Sequence, residues 1–210
     1  MLAASEATNL LYPAFTGTWS PAHNLPLQLS DVSSLVVIWA LVRARPSPWA
    51  DLGYLWGAPA GTLGLAFPAI GAASPSPLYF AFYANHWALL LGAICLAGGS
   101  ARSLGWRSVG GAWLATMALA VLAGAANWAV HGDYLFLRQP PTSWSPLLVM
   151  GPWPWYVVGA WFVCPLLFLA LAWPRWRSRS AADGATALPA QRSRPRSPGE
   201  SEASHRGHAA

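Results

Sequence analysis

The chain has no lysine. Its 12 basic residues are all arginines, set against 7 Asp and Glu, and charged residues fill only 9% of its 210 positions. A soluble domain clothes its surface with about 25% charged residues, so a water-facing globule is excluded. With 55% hydrophobic residues and a mean hydropathy of +0.37, the composition is that of a membrane protein. The net charge of +5 then reports membrane topology, and no nucleic-acid partner is expected. Cysteine is nearly missing as well. Cys95 and Cys164 lie inside apolar runs, where packing is the ordinary use of a thiol, and they say nothing of redox compartment. There is no phosphate-binding loop, no dinucleotide fingerprint and no nucleophile elbow, so no cofactor is expected.

What is present is apolar sequence in lengths that cross a bilayer. Five spans are expected near 25–42, 52–72, 78–97, 109–130 and 153–173, each close to the roughly 20 residues a helical crossing needs. Pro59 and Pro68 predict a kink or break in the second. Gly53, Gly57 and Gly61, at i, i+4 and i+8, predict a ridge on which another helix packs closely. Residues 1–13 lack the basic flank of a signal peptide and are too short to span. They read as the back half of a helix whose front half is missing. The expected fold is therefore all-α: a polytopic helical membrane domain over 1–174, with five full transmembrane helices and a partial N-terminal one. Residues 175–210 turn to Arg, Ser, Pro, Ala and Gly, a composition expected to be disordered.

Arginine sets the orientation. Arg43 and Arg45 follow the first span, Arg102 and Arg107 separate the third from the fourth, and Arg175, Arg177 and Arg179 follow the fifth. With alternating crossings all fall on one side, which the positive-inside rule makes cytoplasmic, together with the C-terminus, in the cell membrane. Only Arg138 lies opposite, in the connector Asn127–Tyr156. That connector is unusually specific in composition. Pro152 and Pro154 suit the first turn of a new helix, and Trp153, Trp155 and Tyr156 suit a membrane–water interface.

Polar residues at membrane depth need a reason. Gln28, Ser30, Asp31 and Ser34 lie in the outer half of the first span, Asn85 and His86 in the third, Asn127 and His131 at the end of the fourth. Three helices thus bring polar groups to one level beneath the connector. The expected site pairs His86 as a base with Ser30 and Asp31, lined by Phe82, Asn127 and the connector's tryptophans. The plainer reading is that these groups only hydrogen-bond neighbouring helices. His86, His131, Asp31 and Asp133 show no recognised ligand spacing, so no metal is expected.

Leu25-Pro26-Leu27-Gln28-Leu29-Ser30-Asp31, the Gly57 helix, Asn85-His86, Asn127-Trp128, Asp133-Tyr134-Leu135-Phe136-Leu137 and Gly151-Pro152-Trp153-Pro154-Trp155-Tyr156 resemble the YwaF-like integral membrane family. The resemblance spans roughly residues 1–174, and Gly-Pro-Trp-Pro is its most specific part. The family is similar to eukaryotic polytopic acyltransferases that move fatty acyl chains between phospholipids, and it looks seven-helical, which implies a truncated seven-helix bundle here. In those relatives a cysteine and a histidine form the catalytic pair, and by motif they align with Ser30 and His86. The family pattern has His where this chain has Gln28, Cys where it has Ser30, and Asn where it has Asp133. A serine keeps an oxygen nucleophile but loses the thiol's lower pKa, so it needs a close base.

The resemblance implies an acyltransferase with membrane lipids as partners. Its catalytic residues would be His86, Ser30 and Asp31; Gln28, Asn85, Asn127, Tyr134 and Trp153 would contact the substrate. The competing reading is a non-enzymatic membrane protein, either a small-solute or lipid carrier or a packing subunit. Transporters also keep polar groups at mid-depth, but no internal repeat is visible in these five spans.

Overall fold

A computed structural model describes residues 1–72, 74–99 and 104–186, with side chains through Pro174. By contact the chain divides into Met1–Trp176 and Arg177–Ala210. Arg102 and the side chains of Arg175, Arg177 and Arg179 lie outside the described residues, as does the expected disorder from residue 187 on; residues 175–186, expected to be disordered with them, instead continue the helix that begins at Trp155.

Six helices and no strand form among the described residues: α1 (Leu2–Phe15), α2 (Leu29–Arg43), α3 (Pro48–Ala66), α4 (Pro77–Gly99), α5 (Trp106–Val130) and α6 (Trp155–Thr186). Their ends follow local chemistry. The first expected span began at Leu25, yet α2 starts at Leu29, where the Asp31 carboxylate accepts the Gln28 N–H at 3.3 Å and closes the helix entrance. Ser47 caps α3 by accepting the Ala50 N–H at 3.2 Å, with Pro48 at the first helical position. The second expected span ran to residue 72, but α3 stops at Ala66, two residues before Pro68. Pro59 is held inside α3 and Pro13 inside the last turn of α1. The carbonyls of Pro152 and Pro154 accept the Trp155 and Val157 N–H groups at 2.8 and 3.0 Å, which starts α6.

The buried helix is α3, almost continuously buried from Ala50 to Gly61. Its glycine ridge does what the spacing predicted. A Cβ on Gly53 would meet Leu96 and Val37, one on Gly57 would meet Ala93 and Val37, and one on Gly61 would meet Leu90. Backbone thus lies directly against α4 on one flank and α2 on the other. Across the helix, Leu55 and Trp56 pack with Val109, Ala112 and Leu119 of α5 and Phe168 and Ala172 of α6. Trp56 Nε1 donates to Thr116 Oγ1 at 2.9 Å and Ser108 Oγ donates to Asp51 Oδ2 at 2.7 Å, which pairs these two polar contacts of α3 with α5.

Outward the molecule is apolar. Leu91, Ile94, Leu114, Val121, Leu122, Phe162 and Leu166 are exposed along α4, α5 and α6, the inverse of a soluble surface. Many exposed tryptophans lie toward the helix ends, Trp128, Trp144, Trp153 and Trp155 at the connector end and Trp39, Trp49, Trp106 and Trp173 at the other, while Trp87 and Trp161 are exposed within α4 and α6. Trp106 and Trp128 are separated by about 33 Å of helix and Trp155 and Trp173 by about 27 Å, at 1.5 Å per residue, which brackets a bilayer core of about 30 Å. Among the described residues three helices are long and apolar enough to cross a membrane: Pro77–Gly99, Trp106–Val130 and Trp155–Pro174. At 15 and 19 residues, α2 and α3 are shorter or less apolar.

Candidate functional site

Three connectors lie at one end of the bundle: 16–28, the described residues 67–72 and 74–76, and 131–154. The last turns sharply at the end of α5, where His131 is left-handed at φ 54°, and enters a 3₁₀ turn, Tyr134–Phe136. Leu135 and Phe136 are also left-handed, at φ 59° and 53°, a conformation costly for side chains that are not Gly, Asn or Asp. The surroundings hold it. Asn127 Oδ1 accepts the Tyr134 N–H at 2.7 Å and its Nδ2 donates to the Tyr134 carbonyl at 3.0 Å. Gln28 Oε1 accepts the Leu135 N–H at 3.0 Å, and Tyr156 Oη donates to the Phe136 carbonyl at 2.7 Å. Trp153 Nε1 donates to the Leu137 carbonyl at 3.0 Å, and Asp133 Oδ1 accepts the Arg138 N–H at 2.9 Å. Finally, Tyr134 Oη donates to the Pro21 carbonyl at 2.7 Å and accepts the Leu25 N–H at 2.9 Å, pinning the first connector to the third. Burial raises the Tyr134 hydroxyl above the ordinary phenol range, so it stays a donor.

Of the expected substrate contacts, Gln28, Asn127, Tyr134 and Trp153 therefore serve this loop. Two recesses open beside it. One, of about 760 Å³, is lined by Asn127, Trp128, His131, Leu137 and Arg138. The other, of about 510 Å³, is lined by His23, Gln28, Asp133, Tyr134 and Arg138.

Beneath the loop, Ser30 Oγ donates to Asp31 Oδ1 at 3.4 Å while the other Asp31 oxygen holds the Gln28 N–H. His86 is buried in α4 and turned toward α3. Its Nδ1 bonds the Phe82 carbonyl at 2.8 Å, its ring lies 4.1 Å from the Phe82 ring, and its Nε2 edge fills the space a side chain on Gly64 would take. No hydrogen bond joins His86 to Ser30. One helical step of about 100° explains this: Asn85, the preceding residue, is the one that faces α2 and α1.

Asn85 is the centre of a buried polar cluster that the sequence reading did not assemble. Ser34 Oγ donates to Asn85 Oδ1 at 2.9 Å, and Asn85 Nδ2 donates to Glu6 Oε2 at 2.5 Å. Glu6 also reaches Ser34, and Asp31 is close enough to interact with it electrostatically. The available signal was Glu6 itself, a charge inside an apolar helix. Among the described residues no group of three or more His, Cys, Asp and Glu is placed to hold a metal.

A family model described as the TMEM164 family matches residues 1–172 of this chain. No curated protein and no solved structure matches it.

Proposed function

The chain belongs to the TMEM164 family, and on that premise we propose that this multi-pass membrane protein moves acyl chains between phospholipids, with Ser30 as the acyl carrier. The observation that carries the reading is the Ser30–Asp31 contact of 3.4 Å at the connector end of the bundle, roofed by the held 131–154 loop. Ser30 Oγ attacks the ester carbonyl of a donor phospholipid, its proton passes to Asp31, and the lysophospholipid leaves as the alcohol with that proton. The hydroxyl of an acceptor lysophospholipid then attacks the acyl-serine ester, its proton returns to Ser30 Oγ, and Ser30 is regenerated. Because this second half is the reverse of the first with another lysophospholipid, Asp31 takes the acceptor's proton as well, and His86, whose Nε2 edge packs on Gly64, is assigned no step. This departs from a direct His86–Ser30 pair, for which there is no hydrogen bond.

In this reading α2 to α6 are five complete crossings and α1 a partial one. The arginine-bearing ends face the cytoplasm and the connector end faces out of the cell membrane. The donor lipid enters laterally in the outer leaflet, its headgroup beside the recess at His131 and Arg138.

A second reading is favoured by a specific observation. Asp31 and Gln28 both hold backbone groups, and His86 is packed on α3, as a structural or carrier protein would have them. Purified protein in liposomes, given a phospholipid with an alkyne-tagged acyl chain and an untagged lysophospholipid, decides. Tag on the acceptor lipid and on the protein supports acyl transfer. Tag on neither supports the non-enzymatic reading.

A further inference from the structure

Glu6 is only 4% exposed, lying about 14 Å along α1 from its connector-end terminus at Phe15. Asn85 lies about 12 Å along α4 from Pro77, at a matching level. Glu6 Oε2 is taken by Asn85, but Glu6 Oε1 is buried and has no partner. The titratable group facing Glu6 from α2 is Asp31, a second carboxyl. From α4 it meets Asn85, while the one titratable neighbour there, His86, is turned to α3. No arginine or histidine among the described residues pairs with it. Two carboxyl groups therefore interact here with no positive group paired to Glu6 among the described residues, an arrangement an apolar interior tolerates poorly.

The remaining donors are all oxygens: Glu6 Oε1, Asn85 Oδ1 and Ser34 Oγ. One carboxylate and two neutral oxygens balance a single positive charge and, with both Asp31 oxygens engaged by Gln28 and Ser30, would leave a divalent ion with an uncompensated charge. We propose that Glu6, Asn85 and Ser34 form an intramembrane binding site for a small monovalent cation, a proton or Na⁺. The proposal does not rest on acyl transfer at Ser30, with which the site shares only the electrostatic neighbour Asp31. It gives the buried cluster a charge state set by the bound ion.

The full-length protein in liposomes is treated with dicyclohexylcarbodiimide, which adds to a protonated carboxyl in apolar surroundings and remains as an N-acylurea read by peptide mass spectrometry. In sodium-free, mildly acidic buffer the label is expected at Glu6 and absent in Glu6→Gln. Protection by NaCl but not by choline chloride identifies Na⁺ as the ligand. Loss of label with rising pH and indifference to NaCl identifies the proton. No label at Glu6 in sodium-free acidic buffer overturns the proposal. Thermal unfolding provides the check that does not depend on reactivity. The midpoint of the wild type should move with pH or NaCl, and that of Glu6→Gln, whose neutral amide keeps the Asn85 contact, should not. Identical responses of the two proteins also overturn it.

Discussion

Asn127 grips Tyr134 from both sides, accepting its N–H at 2.7 Å and donating to its carbonyl at 3.0 Å. Both partners are buried. The grip joins the last turn of α5 to a loop whose next two residues are left-handed, so the side chain stabilises a conformation the loop alone would leave. Gln28 from the N-terminus of α2 and Tyr156 from α6 hold the following two backbone groups.

Asn127→Ala strands a buried donor and a buried acceptor at once, at about 1–3 kcal/mol each. A fall in the thermal midpoint of the detergent-solubilised protein should report it. Asn127→Asp keeps the acceptor for the Tyr134 N–H and loses the donor, so its midpoint should fall between the two.

Tyr156→Phe removes only the bond to the Phe136 carbonyl and should cost about 1–2 kcal/mol. Because Tyr156 and Asn127 hold one loop, the double variant should lose less than the sum of the two single losses. A strictly additive cycle in denaturant unfolding would show that the two ends of the loop are held separately.

Gly64→Ala should destabilise by about 1–3 kcal/mol, since its Cβ would overlap the Cδ2 and Nε2 atoms of His86. Gly110→Ala, where a Cβ meets nothing within 4 Å, is the matched control and should be neutral or stabilising. Adding His86→Ala should relieve the clash, so Gly64→Ala costs less in that background than in the wild type.

Much of this fold can be read from residues that punctuate apolar runs. Pro48 and Pro77 open helices, Pro68 follows the end of one, and Gly53, Gly57 and Gly61 announce the face on which α3 is packed. The site was less legible. Its polar residues were grouped by depth, and depth does not give azimuth. Asn85 and His86 are neighbours in sequence and face different helices, so the proton acceptor nearest Ser30 is Asp31 and the partner of Ser34 is Asn85. Glu6 meets Asn85 across 79 residues of sequence, a pairing that no local pattern encodes. The loop roles of Gln28 and Asn127 were hidden for the same reason. Each side chain serves a backbone group of the connector, and backbone groups leave no trace in residue identity.

The orientation is testable with cysteine reporters in a background where Cys95 and Cys164 are replaced by alanine. Trp144 and Arg43 are both exposed, at opposite ends of the bundle. Trp144→Cys should react with an impermeant maleimide on intact cells, and Arg43→Cys only after permeabilisation. The reverse pattern would invert the topology.

Acyl-serine at Ser30 is the most direct measurement of the central claim. Protein incubated with the tagged phospholipid alone, without acceptor, is digested and the peptide carrying Ser30 is sequenced by mass spectrometry. The acyl mass should sit on Ser30, be absent in Ser30→Ala, and be chased off by added lysophospholipid. An unmodified Ser30 together with undiminished lipid remodelling by Ser30→Ala would contradict it.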